Sequence, residues 1–166
     1  AVAIPAYQDY IVKAKLSKVV STLDPVKTAL AMYFQEQGGF PDTAGAVNLV
    51  ANPNQTVVTG LVPGAPAVVG EVWSSLGFGN IPSLPNEVRS MALHSVPAVA
   101  GGTASNMAII LQLQNVKATT VDGMFVSISP NGATVKPTDA VTTTLTSGLS
   151  ITGASAINWF YGCKAA

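Results

Sequence analysis

One apolar stripe constrains this chain more than any other feature. Val12, Leu16, Val19, Leu23, Val26, Leu30 and Tyr33 recur with gaps of 4, 3, 4, 3, 4 and 3. That spacing is the period of an α-helix with one buried face. Val20 and Phe34 widen the stripe, and Lys13, Lys18 and Lys27 lie off it. The pattern predicts a single helix over residues 6–36. Gly38, Gly39 and Pro41 stop it, since glycine accepts the left-handed conformation past a helix end and proline cannot continue the ladder. Pro25 interrupts the stretch and removes one backbone hydrogen bond. The stripe keeps phase across it, so the reading is one helix bent at Pro25 rather than two.

A helix with one apolar face needs something to lie on. Residues 42–106 hold proline and glycine at a density that breaks long elements. Short helical turns are expected there at Glu71–Leu76 and Glu87–Leu93, with minor strands packing on a sheet. Beyond Asn106 the signals turn to strand. Met107–Gln114 ends in apolar and polar alternation. Asp122-Gly123 and Asn131-Gly132 are turn signals on either side of Met124–Ser129. Ala133–Lys136 reads as a short return, and Ala156–Tyr161 as a last strand. The predicted class is α+β: a long N-terminal helix packed on an antiparallel β-sheet through an irregular connecting region. The whole of 1–166 reads as one domain, with the helix in 1–37, a variable region in 38–106, and sheet and C-terminal region in 107–166.

Composition narrows the function. Charged residues are only 10% of the 166, and eight bases cancel eight acids. No basic excess marks a nucleic-acid binder. Apolar residues make up 48%, which excludes a disordered chain. A neutral, charge-poor surface favours association, so the first inference is a subunit that packs against its own copies. Reactive groups do not converge. His94 is the one histidine, and no metal-protease, phosphate-loop or dinucleotide motif occurs. Asp122 and Asp139 stand apart and suggest no calcium loop. Asn54-Gln-Thr56 matches the glycosylation triplet, a pattern short enough to occur by chance. An enzyme is therefore not expected, and neither a metal nor a cofactor. Cys163 is the one cysteine, so no intrachain disulfide can form and it is read as a free thiol.

The opening Ala1-Val-Ala-Ile-Pro-Ala-Tyr-Gln-Asp-Tyr-Ile-Val-Lys-Ala-Lys15 resembles the exit of the N-terminal helix of type IV pilins, where A-I-P-x-Y-x-x-Y leads into an amphipathic stretch. Gly38-Gly-Phe-Pro41 looks like that family's helix stop. Trp73-Ser-Ser-Leu-Gly77 resembles the W-x-x-L-G turn of its variable loop. Met107–Gln114 with Asn115-Val-Lys and Asp122-Gly123 resembles its first sheet hairpin, and Ile157-Asn-Trp159 its last strand.

The resemblance implies a structural subunit of a bacterial surface filament serving adhesion, twitching motility, aggregation or DNA uptake. Its partners would be other copies of the pilin and the assembly machinery of the inner membrane, without nucleic-acid binding. The subunit would sit in the inner membrane before assembly and on the extracellular pilus afterwards. Pro5, Tyr7, Tyr10, Ile11 and Ala14 would contact neighbours inside the filament. The family's membrane-spanning first half, with its methylated N-terminus, does not fall within these residues, and the chain reads as a soluble form cut just before Pro5. The family's usual C-terminal cysteine pair is reduced to Cys163, leaving Leu145, Leu149, Ile151 and Ile157 to hold that end by packing. Two alternatives stand beside this reading: a type II secretion pseudopilin, and a ligand-binding adhesin domain built on Trp159, Phe160 and Tyr161.

Overall fold

The computed structural model describes residues 3–43, 47–51, 67–69, 71–78, 83–95, 103–104, 107–130, 135–137, 143–145 and 157–164. Helix α1 runs unbroken over Ala3–Gln37 with Pro25 inside it. Ser21 and Pro25 both lie on the exposed side. The carbonyl that Pro25 cannot serve is therefore on the wet face, which is why the helix survives the proline. The chain leaves α1 through Gly38, whose φ of 76° suits glycine and whose N–H donates to the Phe34 carbonyl at 2.9 Å. Phe40 is fully buried, with its ring centroid 4.9 Å from that of Phe34. This contact turns the chain back toward the sheet.

The strands are β1 (Phe40–Pro41), β2 (Val47–Ala51), β3 (Ala67–Val69), β4 (Val88–Ser95), β5 (Thr103–Ala104), β6 (Met107–Leu113), β7 (Phe125–Pro130), β8 (Val135–Pro137), β9 (Thr143–Leu145) and β10 (Trp159–Lys164). A short helix, α2 (Glu71–Ser75), precedes β4. The main sheet has the order β10-β7-β6-β4-β2-β3. Every neighbouring pair in it is antiparallel except β2 with β3. The architecture is α+β, a long helix laid on a mainly antiparallel sheet.

Two expectations need correction. Glu87–Leu93 is not a helical turn: Val88–Ser95 is the eight-residue strand β4, held between β2 and β6. Its Met, Ala and Leu are good helix formers. Two flanking ladders, and burial of every residue but Arg89, outweigh that local preference. The sheet is therefore not formed only after Asn106. The strand returning along β7 is also not Ala133–Lys136. β8 pairs with β9 in a separate ribbon, while β10 takes the edge of β7, with Tyr161 opposite Ile128.

A single apolar cluster joins helix to sheet. Val19, Leu23, Val26 and Leu30 from α1 meet Met91 and Leu93 of β4, Ile109 and Leu111 of β6, and Ile128 of β7. Each is at most 3% exposed, and burying one such side chain is worth about 1.5–3 kcal/mol. Trp73 and Leu76 close the cluster from α2 and its exit turn. All seven residues of β6 are buried, because the sheet's second face is covered too. That face carries Ser90, Ala92, His94, Ala108, Ile110, Gln112, Ser127 and Ser129. A strand covered on both sides reads as an apolar run more than as alternation.

Candidate functional site

Along α1 the surroundings change from end to end. Pro5 lies in the first turns of the helix, and its side chain is outside the described residues. Tyr7 and Tyr10 are 66% and 69% exposed. Ala14 is exposed, and Ile11 and Val12 are half-buried. Leu16 and Tyr33 are half-buried against the core, Val12 touches its margin, and Val19, Leu23, Val26 and Leu30 are inside it. The helix thus buries its middle and last turns and presents two aromatic rings near its start. Among the described residues no hydrogen bond or ion pair engages Tyr7, Tyr10 or Lys13.

Three lysines fasten the helix to the sheet. The Lys15 ammonium donates to the Asn115 carbonyl at 2.6 Å, in the connection between β6 and β7. Lys18 pairs with Glu87 at 3.1 Å, just before β4. Lys27 pairs with Asp24 at 2.8 Å and donates to the Tyr161 hydroxyl at 3.0 Å, reaching the edge strand β10. Burial alone would lower the Lys27 pKa, but hydrogen bonds to Asp24 and Tyr161 outweigh it and hold the pKa above the ordinary 10.5. Sequence reading placed Lys18 and Lys27 off the apolar stripe, and it named no partner for them or for Lys15. The partners lie 100, 69 and 134 residues away in sequence, and no local pattern announces them.

The loop that receives Lys15 is itself braced. The Asp122 carboxylate accepts the N–H groups of Val116 at 2.7 Å and Lys117 at 3.1 Å. Gly123, at φ 88°, then returns the chain to β7, with its N–H donating to the Leu113 carbonyl at 2.9 Å. At the other end of β4, Ser95 and Thr43 exchange backbone and hydroxyl bonds between 2.8 and 3.0 Å. That pair pins the segment leaving α1 to the central strand.

The remaining candidates lie on the sheet. His94 is 6% exposed on β4. Among the described residues no three of His, Cys, Asp or Glu gather into a metal-binding group. Trp159 packs on the core and Tyr161 is engaged by Lys27. The side chain of Phe160 lies outside the described residues, so those residues show no open aromatic cluster on β10. Cys163 stands opposite Val126 in the β10–β7 register. Leu149 and Ile151 lie outside the described residues, Leu145 is described only as backbone in β9, and Ile157 packs against the core. Among the described residues no helix is long and apolar enough to cross a membrane.

Parts of this chain are similar to known proteins. A family model described as pilin (bacterial filament) matches residues 12–83. The chain is similar to fimbrial protein EcpC of Eikenella corrodens, 28% identical over 76 residues, 46% of this chain and 50% of that protein. It is also similar to prepilin peptidase-dependent protein D of Escherichia coli (strain K12), 38% identical over 56 residues, 34% of this chain and 38% of that protein. The matched stretches span half the length of these relatives or less. No solved structure matches the chain.

Proposed function

We propose that the chain is a type IV pilin-like protein, a structural subunit of a bacterial surface filament built by repetition of this chain, on the strength of the pilin family model and the two similar proteins. Pilins are structural, not catalytic, proteins. One observation carries the reading: α1 buries Val19, Leu23, Val26 and Leu30 in its own domain while leaving Tyr7 and Tyr10 exposed at the other end. A helix that needed only to complete this fold would have no use for two uncovered rings, which bury large areas when they find a partner. Pro5, Tyr7, Tyr10, Ile11 and Ala14 are the residues assigned to neighbouring subunits, and the sheet and loops form the outer surface. The subunit is inserted through the inner membrane by the assembly machinery and resides afterwards in the extracellular filament. There it serves surface attachment or motility.

Antibodies raised against this chain test the reading. Immunogold labelling of the producing cells should decorate thin surface filaments, and deleting the gene should remove them. Label confined to the inner membrane of cells without such filaments would contradict it and favour a secretion pseudopilin.

A further inference from the structure

The chain has four methionines, and the fold treats them unequally. Met91 of β4 and Met107 of β6 are 0% exposed, inside the cluster between helix and sheet. Met124, just before β7, is half-buried. Met32 is 60% exposed, on the side of α1 turned away from that cluster. It lines a groove between the helix and the turn that follows α2, together with Pro25, Leu76, Gly77 and Phe78. A Cβ placed at Gly77 would meet nothing within 4 Å, so the groove is open to solvent on that side.

We propose that Met32 is a modification site, converted by a peroxide to the sulfoxide while Met91 and Met107 keep their thioethers. Methionine oxidation follows the exposure of the sulfur. The Met32 Sδ attacks one oxygen of hydrogen peroxide. An S–O bond forms as the O–O bond breaks, and the second oxygen leaves as water after a proton shift. The sulfur loses two electrons and the peroxide gains them. A dithiol reductase reverses the change: the oxygen leaves as water and the two thiols become a disulfide. Peroxide reaches Met91 and Met107 only when the sheet opens, which needs most of the unfolding free energy.

The modification changes a surface and leaves the core alone. Leu30 and Phe34, on either side of Met32 in sequence, face the buried cluster, and Met32 does not. The groove's polar members are already engaged. Thr28, one turn before Met32, donates its hydroxyl to the Asp24 carbonyl at 2.8 Å. Ser21 donates to the Lys18 carbonyl at 2.9 Å, and the Asp24 carboxylate is held by Lys27. The sulfoxide oxygen therefore takes its hydrogen bonds from water, and an apolar wall becomes a hydrated one. A sulfoxide at Met91 or Met107 would instead bury a polar group among apolar side chains. The chemistry belongs to the single chain and asks nothing of its assembly.

Timed oxidation of the full chain in excess hydrogen peroxide, quenched with free methionine and read by peptide mass spectrometry, tests the assignment. Met32 should oxidise at least about tenfold faster than Met91 and Met107, with Met124 between them, because exposure and opening set the rates. In denaturing urea the four rates should converge, which assigns the difference to the fold. Met32→Leu should remove the fast phase. The chain oxidised at Met32 should melt within about 2 °C of the untreated chain, as an exposed change does. Its shifted amide resonances should cluster around Thr28 and Leu76–Phe78, and a methionine sulfoxide reductase should return them. Oxidation of Met91 or Met107 as fast as Met32 in the folded chain would overturn the assignment, as would Met124 reacting first. A fall of many degrees in melting temperature on oxidation at Met32 alone would overturn a change confined to the groove.

Discussion

The two ends of α1 contain comparable apolar residues and meet opposite fates. From Val19 to Phe34 the helix rests on β4, β6 and β7, and Leu23, Val26 and Leu30 are at most 1% exposed. From Tyr7 to Ala14 the same helix has little beneath it, and its two tyrosines stand mostly in solvent. Lys15 and Lys18 mark the boundary, fastening the helix to the β6–β7 connection and to the turn before β4. The amphipathic helix thus gives its second half to its own sheet, and its first half is the part proposed above to meet another chain. Stability should depend on one end and association on the other.

The largest effect expected on that contrast comes from Leu23→Asp. It places an unpaired carboxylate where the side chain is 1% exposed. The loss should exceed about 4 kcal/mol, enough to unfold a domain of this size. Urea denaturation of the variant reads it directly, and a wild-type midpoint would remove the stripe from the core.

Pro25→Ala acts at the same helix in the opposite direction. Restoring the missing N–H should stabilise the domain by about 1–3 kcal/mol, since proline costs roughly 3 kcal/mol inside a helix and part of that is relieved by solvation of the Ser21 carbonyl. Thermal melting should move upward. An unchanged or lower melting temperature would mean that the proline is matched to a local distortion.

Lys27→Met sharpens the comparison at the sheet edge. Loss of the Asp24 and Tyr161 contacts should cost about 0.5–1 kcal/mol, because Asp24 is largely exposed. The pKa of Lys27 is raised in the folded state, so its contribution is complete below the ordinary value of 10.5 and is lost as pH rises through the higher folded value. Stability curves of variant and wild type should therefore run parallel from neutral pH to about 10 and converge only above it. Convergence near pH 7 would contradict the assignment.

At the free end the expected effect on folding is smallest. Tyr7→Ser with Tyr10→Ser should shift stability by less than about 0.5 kcal/mol, as exposed substitutions do. A cooperative loss of several kcal/mol would show that the rings belong to the fold.

How far these features could be read without coordinates differs by element. The helix was legible because Val12 through Tyr33 repeat at its own period, even across Pro25. The strand β4 was not, since Val88–Ser95 is buried on both faces and built of residues that also suit helices. The pairing of β10 with β7 joins residues from Trp159 with Pro130 to Lys164 with Phe125, 29 to 39 positions apart, and follows from the assembled sheet, not from the Asn131-Gly132 turn signal. Of the residues proposed to meet neighbouring chains, Tyr7 and Tyr10 were singled out by resemblance.

Amide hydrogen exchange along α1 in dilute solution tests the division of the helix most directly. Residues 19–34 should exchange only through global unfolding, while residues 7–12 should exchange orders of magnitude faster through local fraying. Uniform protection from Tyr7 to Phe34 would contradict a helix shared between its own domain and a neighbour.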